Sequence, residues 1–295
     1  MSEHFAEYFQ GGVFITPLKS RIGLYKDGEE VVPSIQIGTN TTSASKQIAA
    51  IAESIQWLRN KVNPLATLTG VGVAIAGKVD TPRQTITQAG RLYGWTGKPL
   101  ARDMEQAFKA PVALGNDAEA RTRWLADHDR RLAHSSFISL FLGDGVGGSY
   151  AELRAHGHHI VNLEPGHMPA PVDDNEKLPC FCGKSGCLDA HSGGARIAHV
   201  KSRAGRTWLD DHEWQAFTQP LAAVLEQLML KHNVRTVVLG GQRFNLNPEL
   251  KKFLLADLEE ATSRMKVHPT VMFTDLEFAP AHTALTLLEQ VTVSR

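Results

Sequence analysis

The three cysteines of this chain fall within eight residues, Cys180-Phe181-Cys182-Gly183-Lys184-Ser185-Gly186-Cys187, and His167 stands thirteen positions before the first of them. Three thiols and one imidazole make a complete set of soft or borderline ligands for a tetrahedral Zn²⁺, and a site whose four positions are all filled by protein is structural. The alternatives are a chance cluster of thiols or a disulfide. A disulfide leaves one of three cysteines unpaired and is rare in a reducing compartment. The spacing therefore predicts a zinc knuckle over residues 167–187, held by His167, Cys180, Cys182 and Cys187.

Composition narrows the class of protein. The chain has 295 residues, 42% of them hydrophobic, and its 31 basic residues balance 31 acidic ones. That length suggests two lobes of roughly 150 residues each. A neutral balance gives no electrostatic footprint for nucleic acid or an anionic membrane. The sequence lacks an apolar run of the ~18 residues that a membrane span needs, and Met1-Ser2-Glu3-His4-Phe5 does not resemble a signal peptide. The expectation is a cytoplasmic protein that binds a small molecule. His156, His158 and His159 sit in a polar, turn-like stretch and are expected to be solvated or locally hydrogen-bonded, not a second metal site.

Strand and helix patterns alternate along the chain. Val13-Phe14-Ile15 and Arg21–Tyr25 are strand-like, and Lys26-Asp27-Gly28-Glu29 is a hairpin signal. Ser43–Val62 is helical, with Ile48, Ile51, Ile55 and Leu58 at steps of three and four. A strand at Leu68–Ile75, a helix at Leu100–Phe108 and a strand at Pro111–Leu114 lead to Gly115-Asn116-Asp117. A strand at Ser136–Leu142 stops at Gly143-Asp144-Gly145-Val146-Gly147-Gly148. Helices at Ala195–Ala204 and Glu213–His232, a strand at Arg235–Leu239, a helix at Pro248–Met265, a strand at Thr270–Phe273 and a last helix near His282–Val291 complete the chain. Alternation of this kind, with glycines after strand ends, predicts an α/β protein that binds ligands at its strand tips.

Glu164-Pro165-Gly166-His167, followed by the cysteine run and Asp189, resembles the paired signature of the ROK family (repressors, open reading frames and kinases). Gly77-Lys78-Val79-Asp80, Gly94-Trp95, Asn116-Asp117-Ala118, Gly145-Val146-Gly147-Gly148 and Val238-Leu239-Gly240-Gly241 follow in the family's order, so the resemblance runs from about Leu68 to the C-terminus. It implies a two-lobed, actin-like (ribonuclease H-like) fold with a sugar in the cleft and a nucleotide above it. The smaller lobe would take residues 1–116, with a C-terminal helix at about 282–295 packing back on it, and the larger lobe residues 117–281. Many members transfer a phosphoryl group from Mg-ATP to a hexose; others regulate transcription through an added DNA-binding domain, for which this chain has no room. A homodimer is a further implication.

The same resemblance assigns roles. Asp117 would be the catalytic base that accepts the sugar hydroxyl's proton, although an aspartate there could instead cap the next helix. Asn116 would hydrogen-bond sugar hydroxyls, or simply sit in a turn. Glu164, His167 and Asp189 would line the sugar site. Asp189 stands where the family usually has glutamate, so it is either a shortened ligand or a solvated acid beside the knuckle. Arg91 replaces an asparagine that touches sugar; it suits an anionic ligand or is an ordinary surface arginine. Trp95 is core or a sugar platform. Gly143, Gly145, Gly147, Gly148, Gly240 and Gly241 would surround the nucleotide.

Two departures bear on nucleotide binding. Kinases of this family open with an Asp-x-Gly-Gly-Thr type loop, where this chain has Phe14-Ile15-Thr16-Pro17-Leu18-Lys19-Ser20-Arg21-Ile22, without the aspartate or the glycine pair and with Lys19 or Arg21 as a partial compensation. Asp144 replaces a threonine in the second loop, and a carboxylate ~4 Å from a phosphate charge costs about 4 kcal/mol when partly screened and uncompensated. The sequence therefore supports two expectations, an ATP-dependent hexose or amino-hexose kinase, and a catalytically silent sugar- or sugar-phosphate-binding protein with a degenerate ATP site.

Overall fold

The structure is a computed structural model that describes residues 7–80, 82, 84–264, 268–275 and 280–288. The chain divides into two compact units, with breaks after Trp124 and after Phe278. The residues beyond 288 assigned to a C-terminal helix lie outside the described ones, as does Met265 at the end of the helix expected from Pro248.

The first unit is built on a sheet of strands β1 (Tyr8–Ile15), β2 (Lys19–Lys26), β3 (Glu29–Gly38), β4 (Thr67–Ile75) and β7 (Val112–Asn116), in the order β3-β2-β1-β4-β7. The first three form an antiparallel meander, while β4 and β7 run parallel to β1. Helix α1 (Ala44–Val62) starts where the Ser43 hydroxyl accepts the Lys46 N–H, which satisfies one of the orphan donors of a helix N-terminus. Its Ile48, Ile51, Ile55 and Leu58 are buried with Ile15, Ile22 and Val73 of the sheet. The small hairpin β5 (Lys78–Asp80) and β6 (Thr85–Gln88) precedes helix α2 (Leu100–Phe108). Helix α3 (Asp117–His128) follows β7 without an intervening loop, because that strand continues through Asn116, two residues beyond its expected end.

The second unit repeats the plan. Strands β8 (Phe137–Leu142), β9 (Val146–Arg154), β10 (Gly157–Asn162), β11 (Thr236–Gly240) and β12 (Thr270–Phe273) take the order β10-β9-β8-β11-β12. Again three strands make an antiparallel meander and two add in parallel. Between β10 and β11 come the knuckle, short helix α4 (Leu188–Ser192), α5 (Gly194–Arg203) and α6 (Asp211–His232); α7 (Gln242–Leu246) and α8 (Pro248–Ala261) follow β11. Helix α6 begins with a reciprocal cap between Asp210 and Glu213. Its Phe217, Leu221, Leu225 and Leu228 pack into the core with Leu250, Leu254 and Leu258 of α8. The short helix α9 (Pro280–Thr283) belongs to the first unit, where His282 stacks on Tyr25 at 5.0 Å.

The polar stretch around His156 is not simply a turn. His156 lies in the turn, but His158 and His159 stand in β10, and the His158 ring nitrogen meets the Ser135 carbonyl at 3.0 Å. Strand β10 is an edge strand, so polar residues face water on one side and the alternation of a half-buried strand is diluted. Among the described residues no helix is long and apolar enough to cross a membrane.

Candidate functional site

In the second unit the knuckle forms as its spacing predicts. The ligand atoms of His167, Cys180, Cys182 and Cys187 all lie within 4.8 Å of one another. His167 Nδ1 is 3.8 Å from Cys180 Sγ, and the sulfurs of Cys182 and Cys187 are 3.6 Å apart. A tetrahedron with ~2.3 Å Zn–S bonds separates its sulfurs by roughly 3.8 Å, and the three cysteines form no disulfide. The four residues thus fit a tetrahedral soft-metal ion. Burial and the neighbouring thiols push Cys187 up to about 12, and burial also raises Cys180. Such thiols keep their protons until a cation shares their charge.

Backbone pairing shapes the knuckle before any metal does. Cys180 N–H donates to Lys184 O at 2.8 Å, and Leu188 N–H donates to Met168 O at 2.9 Å. His191, which the sequence did not single out, accepts the Leu178 N–H at 3.3 Å. Just before His167, Glu164 adopts a left-handed backbone (φ 48°), a strained conformation for a non-glycine residue. Asn162 holds it there, accepting the Glu164 N–H at 3.0 Å and donating to its Oε1 at 3.0 Å. This Asn-x-Glu clamp was legible only as two polar residues two positions apart.

Asp189 joins the knuckle to the glycine-rich segment. It is 5% exposed, so it is not a solvated acid, and its Oδ1 accepts the Val146 N–H at 2.8 Å. A Cβ on Gly145 would run into that carboxylate, which explains why glycine stands there. Gly147 and Gly148 lie inside β9, paired with Phe141 and Leu140, not in a loop. The open segment is Gly143-Asp144-Gly145, where Gly143 N–H closes a turn on Gly145 O at 3.0 Å. Gly240 ends β11 and Gly241 precedes α7.

The structure supplies a partner for Asp144 that the sequence did not. Arg243 Nη2, on α7, donates to Asp144 Oδ1 at 2.7 Å across 99 residues of chain. The repulsion expected from a bare carboxylate on this loop is therefore offset by a guanidinium. Opposite charges at two glycine elements were visible in the sequence, but nothing there placed them in contact.

In the first unit, Asn116 is 7% exposed and fully engaged with backbone. Its Oδ1 accepts the N–H groups of Ala118 and Glu119 at 2.8 and 3.1 Å, and its amide donates to Gly77 O at 2.8 Å. Asn116, not Asp117, thus provides the cap of α3. The segment that replaces the first phosphate loop is a closed turn between β1 and β2. There Thr16 N–H and Oγ1 both donate to Lys19 O at 2.9 Å, and Lys19 N–H returns to Thr16 Oγ1 at 3.2 Å. Trp95 is core, with no exposed surface and its Nε1 donating to Asn40 O at 3.0 Å. Arg91 lies half-buried in the turn between β6 and α2.

A two-sheet α/β fold with a Cys₃His cluster of this spacing defines a class, and comparison with known proteins gives the same one. A sequence model of the ROK family matches residues 12–275, beginning well before Leu68, and the chain belongs to that family. It is 32% identical over 248 residues to the N-acetyl-D-glucosamine kinase of Vibrio vulnificus (strain YJ016), covering 76% of this chain and 80% of that one. The match to the N-acetyl-D-glucosamine kinase of Vibrio cholerae is 30% over 186 residues and spans 60% of each chain. Among solved structures, the ROK hexokinase from Thermus thermophilus superposes with a TM-score of 0.74 at 20% identity, covering 97% of this chain and 99% of that one.

Proposed function

We propose that the protein is a sugar kinase that transfers a phosphoryl group from Mg-ATP to a hydroxyl of a hexose or amino-hexose. The observation that carries this is the match to the Vibrio vulnificus N-acetyl-D-glucosamine kinase over three-quarters of the chain. Locally, the cap made by Asn116 supports the role of Asp117. With the helix N-terminus satisfied by its neighbour, the Asp117 carboxylate is not required as the cap and suits a general base that accepts the proton of the attacking hydroxyl. In the second unit, Glu164, His167 and Asp189 would serve the sugar side, with Asp189 acting mainly by fixing backbone; in the first unit, Asn116 fixes the start of α3. Arg91 leaves room for a sugar that carries a negative charge. The knuckle would hold Zn²⁺ and, through His167 and Glu164, keep that side in shape. Mg-ATP supplies the phosphoryl group and the divalent charge that offsets its negative oxygens.

A second reading has an observation of its own. The closed β1–β2 turn offers no glycine pair to a phosphate, and its Thr16 N–H is already spent on Lys19 O. That favours a silent sugar- or sugar-phosphate-binding protein. The test is ADP release from Mg-ATP across hexoses, amino sugars and sugar acids, with Asp117→Asn as control. Sugar-dependent release that the variant lowers by at least ~100-fold is the expected result for loss of a general base. Binding of a sugar without release of ADP would establish the silent protein instead.

A further inference from the structure

The Asp144–Arg243 pair has more than charge balance to offer. Arg243 is the second residue of α7, two positions after Gly241, and both ends of it are fixed. Its carbonyl accepts the Asn247 Nδ2–H at 2.9 Å, and Asn247, 5% exposed, accepts from Lys201 Nζ at 2.8 Å. The Lys201 ammonium in turn lies 5.3 Å from the centroid of the Trp214 ring. The side chain of Arg243 then crosses the start of α5, where a Cβ on Gly194 would collide with it and with the Gly143 carbonyl. Asp144 is fixed from its other side, because its carbonyl accepts the Ala195 N–H at 2.9 Å. Carboxylate and guanidinium are thus delivered to one spot by three converging elements, the glycine segment, α5 and α7.

The pair is not sealed off. The side chains of Arg243 and Asp144 keep 21% and 23% of their surface exposed. A guanidinium has five N–H donors in a rigid fork, more than one carboxylate oxygen consumes. The segment thus presents a cation with donors to spare, oriented by a neighbouring carboxylate.

We propose that Arg243 is the phosphate-binding residue of this segment and that Asp144 is its positioning residue. The inference rests on the kinase reading for the identity of the ligand, a nucleoside di- or triphosphate. Arg243 holds Asp144 through one nitrogen and takes a phosphate oxygen with the others. The Lys201–Asn247 link keeps the α7 backbone from yielding when the anion binds.

The experiment is calorimetric titration of the full-length zinc-loaded protein with ADP, ATP and tripolyphosphate, with and without Mg²⁺. Arg243→Ala, Arg243→Lys, Asp144→Asn and the Asp144→Ala/Arg243→Ala double variant are compared with wild type. Zinc content and melting temperature establish that each variant is folded, and sugar affinity serves as an internal reference. Losing a charge-assisted bond and exposing Asp144 predicts that Arg243→Ala weakens nucleotide binding at least ~10-fold. The double variant should recover part of that loss, Arg243→Lys should rescue part of it, and Asp144→Asn should weaken binding less, all with sugar affinity unchanged. Equal nucleotide affinity in wild type and Arg243→Ala overturns the proposal and leaves the kinase reading intact. So does an Asp144→Asn variant that loses binding only when Mg²⁺ is present while Arg243→Ala retains it, since the carboxylate would then serve the cation. Nucleotide binding that follows the predicted order, without turnover of any sugar, sustains the pair and removes the kinase reading. A wild type that binds neither nucleotide nor tripolyphosphate overturns both.

Discussion

Replacing Asp189 with alanine cuts the link between the knuckle and the glycine segment. The carboxylate is 5% exposed and accepts the Val146 N–H at 2.8 Å, and Val146 itself is buried. Alanine removes the acceptor and leaves that N–H without a replacement from water. An orphaned buried donor costs about 1–3 kcal/mol, and the small void left by the carboxylate adds roughly 0.5–1 kcal/mol. A total of about 1.5–4 kcal/mol lowers the melting temperature of a unit this size by roughly 3–16 °C. Differential scanning calorimetry, with zinc quantified in each sample, measures the shift. Asp189→Asn keeps an acceptor in place and should retain most of the stability. Asp189→Glu keeps the carboxylate but adds a methylene, and it should destabilise. A Cβ on Gly145 would already strike the aspartate, and one on Gly166 would lie 3.4 Å from the Asp189 Cβ. An extra methylene in so close a space costs about 1–3 kcal/mol. If the alanine and glutamate variants both melt with wild type, the carboxylate is not the tie that the geometry makes it.

Metal analysis of protein never exposed to chelator should find about one zinc per chain; Cys182→Ser should lose it and melt lower, and a metal-free wild type of equal stability would refute the knuckle. Asp257, on α8, is buried, and burial raises its pKa from 3.8. The Thr218 hydroxyl donates to the Trp214 carbonyl and to Asp257, and its bond to the carboxylate opposes the rise, but burial is the larger effect. A carboxyl raised in the folded state destabilises that state once pH exceeds the unfolded value, and the penalty grows until the folded value is passed. Asp257→Asn, which imitates the protonated acid, should therefore melt higher than wild type at pH 7. The gain should shrink as pH falls towards 3.8, the ordinary carboxyl value, and a gain independent of pH would refute the argument.

Where local signals were strong, the sequence was sufficient. Ser43 followed by isoleucines at steps of three and four defined α1, and Lys26-Asp27-Gly28-Glu29 defined the β2–β3 hairpin. The cysteine spacing brought four ligands together because a short chain segment with paired backbone can close only one way. Edge strands were harder. Strands β9 and β10 went unrecognised because glycines at one end and polar residues along the edge imitate a loop. The duplication of the sheet plan was also hidden. It is a property of strand pairing, and the two halves share topology without a visible sequence repeat.

Polar partners were the least legible. Asn116 and Asp117 are adjacent, and either could have capped α3. The choice depends on strand β7 continuing through Asn116, which aims that side chain at the N–H groups of residues 118 and 119. Asp189 stayed open between a shortened sugar ligand and a solvated acid, because its partner, the Val146 N–H, lies 43 residues away.

The two departures from the family's phosphate elements are physically unequal. A carboxylate ~4 Å from a phosphate charge costs about 4 kcal/mol when uncompensated, but Arg243, 2.7 Å from Asp144, returns a charge of opposite sign to the same place. That substitution is an exchange of one recognition chemistry for another. The β1–β2 turn has no comparable substitute. Pro17 contributes no N–H, and the turn's own hydrogen bonds consume the backbone groups of Thr16 and Lys19. On the proposed reading, an anion bound by this chain depends on the second unit's glycine segment and little on the β1–β2 turn. It follows that the guanidinium of Arg243 should dominate nucleotide affinity, whereas substitutions in the Thr16–Lys19 turn should change the stability of the hairpin and leave that affinity nearly untouched.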